Sequence, residues 1–582
     1  METAIPCLFG VVALGDESNR SPMSIQPETA NLLATADDVA RVWSNSNVLP
    51  VTVAKSEIRT RILVGKLFSA RRQSSPAMAA ADIRDLDGGF VLVDIDTTPG
   101  GATITLATDK FGTRRLYYAI GDGYVMFATH LSGLRTLGCP IEHSITDATL
   151  LHYYNFGFTP SDASLFPSVK KLPAGSRLTI SGGTKSVARY FDLKDISSRP
   201  QTDGLDEAEL CGRIDTALAQ GISRRAGEGE TVGISLSGGV DSGYIAQKLT
   251  QTGASVRGYN IAYQDYYDEE DRVDFLAHSL GIDVTKIRLS ADEIIENFER
   301  VSAVSSEPAS LNGSIMRFAA ERAKADGLTK LFDGDGADRL FLGMNRYLGY
   351  KRAIDIYSRA ANLGMTAPLQ LILGKLPGDE VQKFHILVSN WRAGIPPYPE
   401  RKLGGVKRYD KAYETKVFQL GAKSYYERFL QDFGEFEFGA YFTYQSFHMC
   451  PEMFFHGSTE LMTDLGITPI PAFFTDEMVQ IAFDTPTRWK LRDKTTKYIL
   501  RKAAAQNMDK NYWMLPKIGL QSALNYVLQT DHGKQWYAVL REKVLDSAEY
   551  RKLTELAAGQ EIETDRLVSL IAWKEAQATP NR

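Results

Sequence analysis

The sequence predicts two structural classes in succession, an antiparallel-sheet domain and then an α/β domain on a parallel sheet with a helical extension. Three observations carry that reading. Between residues 8 and 193, short β-branched runs are broken by Gly, Asp and Pro, the texture of antiparallel sheet. From residue 205 onward, apolar runs alternate with helical stretches, the pattern of βαβ units. Beyond Tyr347 the pattern is mainly helical, with no internal repeat.

Taken in order, strands are expected over residues 90–95, 103–107, 116–119 and 124–128. The turn-rich stretch 197–204 places the boundary between domains 1–197 and 205–582. A helix follows over 206–224, a buried strand over 231–236, a helix over 243–250 and a second strand over 255–261.

Composition narrows the function. With 582 residues, 43% hydrophobic and 24% charged, the chain can build large cores and is neither disordered, collagenous nor disulfide-stapled. Sixty-six basic against 71 acidic residues, without a basic stripe, argue against a nucleic-acid partner. Cys7, Cys139, Cys211 and Cys450 are scattered without a CxxC or a metal-ligand spacing, so reduced thiols and a cytoplasmic location are expected. The first six residues lack a basic n-region, and residues 7–14 read as a first strand rather than a signal peptide. No apolar run reaches the length of a membrane span. Asn312-Gly313-Ser314 fits a glycosylation acceptor but reads as a loop or helix start.

The most informative segment is Ser235-Leu236-Ser237-Gly238-Gly239-Val240-Asp241-Ser242, between an apolar strand and a helix. Two glycines permit a tight turn with N–H groups facing inward, and the helix start directs its positive dipole end at the same place. This is a cradle for a polyphosphate. Ser237 and Ser242 add hydroxyls, and Asp241 can hold a Mg²⁺ that bridges phosphates. A bare Gly-Gly after a strand is usually only a turn. A second cluster, Phe332-Asp333-Gly334-Asp335-Gly336-Ala337-Asp338-Arg339, follows a strand edge at 329–331. Its carboxylates suit a hard cation, with a surface turn as the plainer alternative.

The first string lacks a Walker lysine and matches the SGGxDS pyrophosphate loop of the ATP pyrophosphatases. The second resembles the SG(D/E)G(S/G)DE loop of the asparagine synthetase B-like family. Trp489-Lys490-Leu491-Arg492 and Lys497-Tyr498-Ile499-Leu500-Arg501 reproduce that family's WKLR and KxxLR elements. Glu307-Pro308, residues 470–476 and Leu515-Pro516-Lys517-Ile518-Gly519-Leu520 are looser matches, with Ser306 in place of an Asp. The resemblance implies ATP and Mg²⁺, with Ser235, Leu236, Ser237, Gly238, Gly239, Asp241, Ser242, Gly334 and Lys517 binding the nucleotide. It implies metal ligation by Asp241 and Asp338 and catalytic roles for Lys497 and Asp335. By spacing alone, Lys497 with Arg501 at i+4 reads as a solvated helix face.

The first 195 residues are similar to the glutaminase half of the same family, which implies an α+β, Ntn-hydrolase-like antiparallel sandwich. Residues 108–118 resemble its RDPxGxxPLYY hairpin, 87–90 the strand before it, and 166–175 its linker. Glutaminase chemistry needs a cysteine as residue one, whose α-amino group serves as base. Cys7 is preceded by six residues, and no RHRGPD string or NGE loop is present. A retained fold without glutaminase activity is therefore expected.

The amine must then come from free ammonia or from the substrate, as in the β-lactam synthetases and lasso peptide cyclases of this superfamily. The β-lactam-forming relatives carry a Tyr where this chain has Asp335, which brings it closer to asparagine synthetase. The expectation is an ATP-dependent, AMP- and PPi-forming ligase acting on a small-molecule or peptide carboxylate. A tRNA-modifying enzyme and a non-catalytic ATP-binding scaffold are the alternatives, and the oligomeric state is open, a homodimer included. Departures at Ser306, Ala337, Arg339 and Ile470 warn that the carboxylate need not be aspartate. Nine aromatics between Phe433 and Phe455 read as a core helix, with an apolar substrate surface as the alternative. His448 and His456 have no metal pattern around them, so no zinc is expected.

Overall fold

The computed structural model describes residues 7–13, 30–36, 40–44, 51–68, 81–98, 101–141, 144–197, 206–264, 270–375, 384–385, 388, 423–506, 510–515, 522–556 and 564–578. The expected boundary at 198–204 lies outside them.

Among the described residues, twelve strands form the N-terminal part: β1 (Leu8–Ala13), β2 (Asn31–Ala36), β3 (Ala40–Ser44), β4 (Val51–Lys55), β5 (Arg59–Leu67), β6 (Gly88–Thr98), β7 (Gly101–Thr108), β8 (Tyr117–Gly121), β9 (Tyr124–Ala128), β10 (Val169–Lys171), β11 (Ser176–Ser181) and β12 (Thr184–Arg189). They pair antiparallel in two six-stranded sheets, β10-β8-β9-β1-β3-β2 and β12-β11-β7-β6-β5-β4. Alternate apolar side chains, among them Val12, Val64, Val93, Leu106 and Phe127, meet between the sheets as one core. The expected sandwich is present, and residues 8–13 are its first strand.

The second part is a five-stranded parallel sheet, β15-β14-β13-β16-β17, made of β13 (Thr231–Ser235), β14 (Ser255–Tyr263), β15 (Asp283–Leu289), β16 (Lys330–Asp333) and β17 (Thr468–Pro471). The chain builds outward from β13 to β15, then crosses back to place β16 on the other side of β13. That reversal opens a crevice at the carboxyl ends of β13 and β16, where such sheets bind ligands. Strand β17, Thr-Pro-Ile-Pro, has a proline pattern that argues against a strand; its edge position makes the missing donors tolerable.

The aromatic segment is a core helix. Every residue of Phe438–Cys450 is buried, so an aromatic substrate surface on this helix is not supported. Among the described residues, no helix is long and apolar enough to cross a membrane. The two parts pack through the 108–118 hairpin: Phe111 lies edge-on to Phe447 and Phe474, and Lys110 pairs with Asp476 at 2.5 Å.

Candidate active site

The first loop leaves β13 and turns into the helix Val240–Thr250. Gly238 has φ +68°, and a Cβ there would lie 2.9 Å from the Arg272 side chain, so glycine is required on both counts. Ser242 Oγ accepts the Ser237 N–H at 3.1 Å and lies 3.2 Å from Ser237 Oγ. Tyr512 donates its hydroxyl to the Gly238 carbonyl at 2.6 Å, fixing the outside of the turn. Leu236 is different from its neighbours: its side chain is in the core, its N–H goes to Tyr259 O and its carbonyl accepts from Asn260. The strand ends at Ser235 rather than Leu236, and the helix starts three residues earlier than the expected 243.

The second loop leaves β16 at Asp333, whose carboxylate accepts the Asp335 N–H at 3.0 Å. A Cβ on Gly334 would stand 3.0 Å from the Cβ of Asp241, so the two loops are in contact there. Burial, then the charge of Asp335, holds the Asp333 carboxyl well above the usual range. Burial and the neighbouring Asp338 push Asp335 up to about 6.

Lys497 joins the loops. It is 1% exposed, and its ammonium lies 2.6 Å from Asp241 Oδ2 and 2.7 Å from Asp338 Oδ1. Burial works against its charge, but the two carboxylates outweigh that and raise its pKa above the ordinary lysine value. The solvated-helix expectation from spacing is corrected. Lys497 precedes the helix Tyr498–Ala504, with left-handed φ of 51°. It follows a tight hairpin of β18 (Leu491–Arg492) and β19 (Thr495–Thr496), which turns it inward. Arg501 binds the carbonyls of Thr496, Trp513 and Leu515 and so holds the lysine's surroundings. A strained, non-glycine backbone at the meeting point of the loops marks a position set for function.

Two carboxylates thus converge on one buried ammonium beside a strand–Gly-Gly–helix turn. Residues 213–571 match the asparagine synthase family, and residues 76–191 match the glutamine amidotransferase domain. The chain belongs to the asparagine synthase family. Asparagine synthetase (glutamine-hydrolyzing) 1 of Bacillus subtilis is 23% identical over 452 residues, 76% of this chain and 69% of that protein. Amidase chyE of Penicillium rubens is 23% identical over 283 residues, 46% of this chain and 41% of that protein. As an asparagine synthase family member the chain is an enzyme of the ATP-dependent ligase class, with a carboxylate and an amine or ammonia as reactants.

Other expected positions fall elsewhere. Lys517 lies outside the described residues. Glu307 pairs with Arg115 at 2.9 Å, and Ser306 accepts the Leu131 N–H. Lys490 is fully buried against Thr443 and Gly439, and burial pushes its pKa down to about 7. His448 pairs with Asp192 across the fold, whereas His456 pairs with Glu452 one helical turn before it. Cys7 is 0% exposed in the core beneath Gly133, its thiol 3.9 Å from Ser132 Oγ. Sequence reasoning did not single out Asp333 as a site residue, although it stands in the quoted string.

Proposed function

We propose that this asparagine synthase family member adenylates a substrate carboxylate and condenses it with an amine, releasing AMP and PPi, and that its N-terminal domain does not hydrolyse glutamine. The observation that carries the reading is the Asp241–Lys497–Asp338 triad at the switch point of the parallel sheet. In this reading the Ser237–Ser242 turn cradles the ATP phosphates with inward N–H groups and hydroxyls. Asp241 and Asp338 fit Mg²⁺, because they already converge on a cation with hard oxygen donors. Bound there, Mg²⁺ would neutralise charge on the departing pyrophosphate.

Lys497, released from the two carboxylates, then faces the reacting groups and stabilises the oxyanion that forms when the amine attacks the acyl carbon. A cation preset against developing charge in a dry site is a large catalytic contribution. Asp335, half-buried beside the triad, takes the proton the amine loses. The division into a glutaminase-like domain 1–197 and a synthetase domain 205–582 belongs to the same proposal. Against glutamine hydrolysis stands the burial of Cys7.

Carboxylate-dependent ATP–PPi exchange tests the reading, since it reports the reversible adenylation step alone. Exchange with at least one member of an amino-acid and peptide carboxylate panel is expected, and Asp241→Asn should abolish it. Exchange that survives Asp241→Asn unchanged would remove the site from the mechanism.

A further inference from the structure

The shape of the first loop does not by itself settle which way the Gly238–Gly239 peptide faces. Between two glycines the peptide plane rotates at little steric cost, so its carbonyl and its N–H can exchange sides. The bond is trans, and in a trans peptide the C=O and the N–H point in opposite directions. Whatever holds the Gly238 carbonyl outside the turn therefore aims the Gly239 N–H inside it.

Tyr512 holds that carbonyl. Its hydroxyl donates to Gly238 O at 2.6 Å, with Arg272 O farther off at 3.4 Å. The ring is buried, stacks on Phe275 at 4.7 Å and meets Trp513 edge-on at 5.0 Å. Trp513 packs so close to the helix Val240–Thr250 that a Cβ on Gly243 would stand 2.8 Å from its ring. Arg501 binds the Trp513 and Leu515 carbonyls and also the Thr496 carbonyl next to Lys497, so the segment that carries Tyr512 is anchored to the lysine's hairpin. On the inner side, the Gly239 N–H has no acceptor among the described residues, and the helix that starts there has no side-chain cap. A helix start with donors left over is completed by an anion.

We infer that Tyr512 is a positioning residue for the first loop: by holding the Gly238 carbonyl outward it presets the Gly239 N–H toward the pyrophosphate part of ATP. The inference rests on the ligase reading above and adds to it a residue from outside both loops. The glycines supply the shape of the turn and Tyr512 its direction, so the loop meets pyrophosphate without first reorganising. Without the hydroxyl the plane is free to flip, and a flipped plane sets a carbonyl oxygen against the phosphates.

The test is calorimetric titration of the full chain in Mg²⁺ with inorganic pyrophosphate and, separately, with AMP, for the wild type and for Tyr512→Phe, which keeps the buried ring and removes only the hydroxyl. Pyrophosphate binding should weaken by about five- to tenfold, the size of one net hydrogen bond, while AMP binding changes by less than about twofold. In ATP–PPi exchange the KM for PPi should rise by the same factor, with kcat changed by less than about twofold. A merely structural role would weaken both ligands together. Pyrophosphate binding unchanged in Tyr512→Phe, or AMP weakened as much as pyrophosphate, overturns the inference. Phe275→Leu, at a ring that is 39% exposed, decides if Tyr512→Phe does not fold. It removes the stack that steadies the Tyr512 ring and should weaken pyrophosphate alone by about two- to threefold, and no change there counts as the overturning result. Wild-type pyrophosphate binding that ignores the hydroxyl defeats this inference alone, whereas a wild type that neither binds pyrophosphate nor exchanges it defeats the ligase reading as well.

Discussion

The Lys497 ammonium and the Asp241 carboxylate are held at 2.6 Å although the two residues come from the C-terminal hairpin and the first loop of the parallel sheet, with Asp338 at 2.7 Å on the other side. One cation serves two carboxylates that would otherwise repel. In the proposed mechanism a divalent ion takes the lysine's place and leaves its charge available for chemistry.

Lys497→Met should therefore lower stability by about 1–3 kcal/mol, because two partly buried carboxylates lose their common partner. Added Mg²⁺ should restore part of it, and PPi release should fall by about 10²–10³-fold. Thermal unfolding with and without Mg²⁺ checks the first statement. A melting temperature indifferent to Mg²⁺ would mean that the carboxylates do not form a cation site.

Gly343 is a finer probe of the same triad. A Cβ there would stand 1.9 Å from Asp338 Oδ1 and 2.8 Å from Lys497, so Gly343→Ala must push the pair apart. We expect a folded protein whose ATP–PPi exchange drops by about tenfold or more, a misplacement effect.

Asp335 gives a pH signature. Its folded pKa of about 6 lies above the usual carboxyl value, so burial favours the neutral acid. That contribution is present at low pH and is lost as pH rises through about 6. Asp335→Asn should leave stability near pH 4 unchanged and raise it at pH 7.5 by on the order of 1–3 kcal/mol, measured by urea unfolding. In the wild type, kcat/KM should rise through about pH 6 as Asp335 ionises, and that limb should vanish in the variant.

Arg115→Met removes the central cation of the interdomain cluster, leaving Lys171 as the lysine or arginine partner of Glu307 and Glu452 among the described residues. The expected loss is about 3–5 kcal/mol. Lys110→Met, whose partner Asp476 is 38% exposed, should cost under about 1 kcal/mol. Equal losses would mean that the buried cluster does not hold the two parts together.

Much of this was readable in the chain. Strands β6 to β9 fall on short apolar runs bounded by Gly and Asp, and both loops show their glycines and carboxylates at strand ends, so these elements follow from local pattern. Strand β17 did not, because Pro469 and Pro471 contradict strand propensity and only its edge position permits them. The inward turn of Lys497 depends on left-handed Asp493, Lys494 and Lys497, a conformation that residue type disfavours. Arg115 meets Glu307 and Glu452 only through the packing of two parts, and no spacing in sequence encodes that.

The most direct measurement is PPi release with Mg-ATP and a carboxylate panel that includes aspartate, run with ammonium, with an alkylamine or with glutamine, following products by mass. An amide formed with AMP and PPi in equal amounts, supported by an amine, not supported by glutamine and lost in Asp241→Asn, is the expected result. Turnover supported by glutamine as well as by ammonium, or no PPi from any combination, would contradict it.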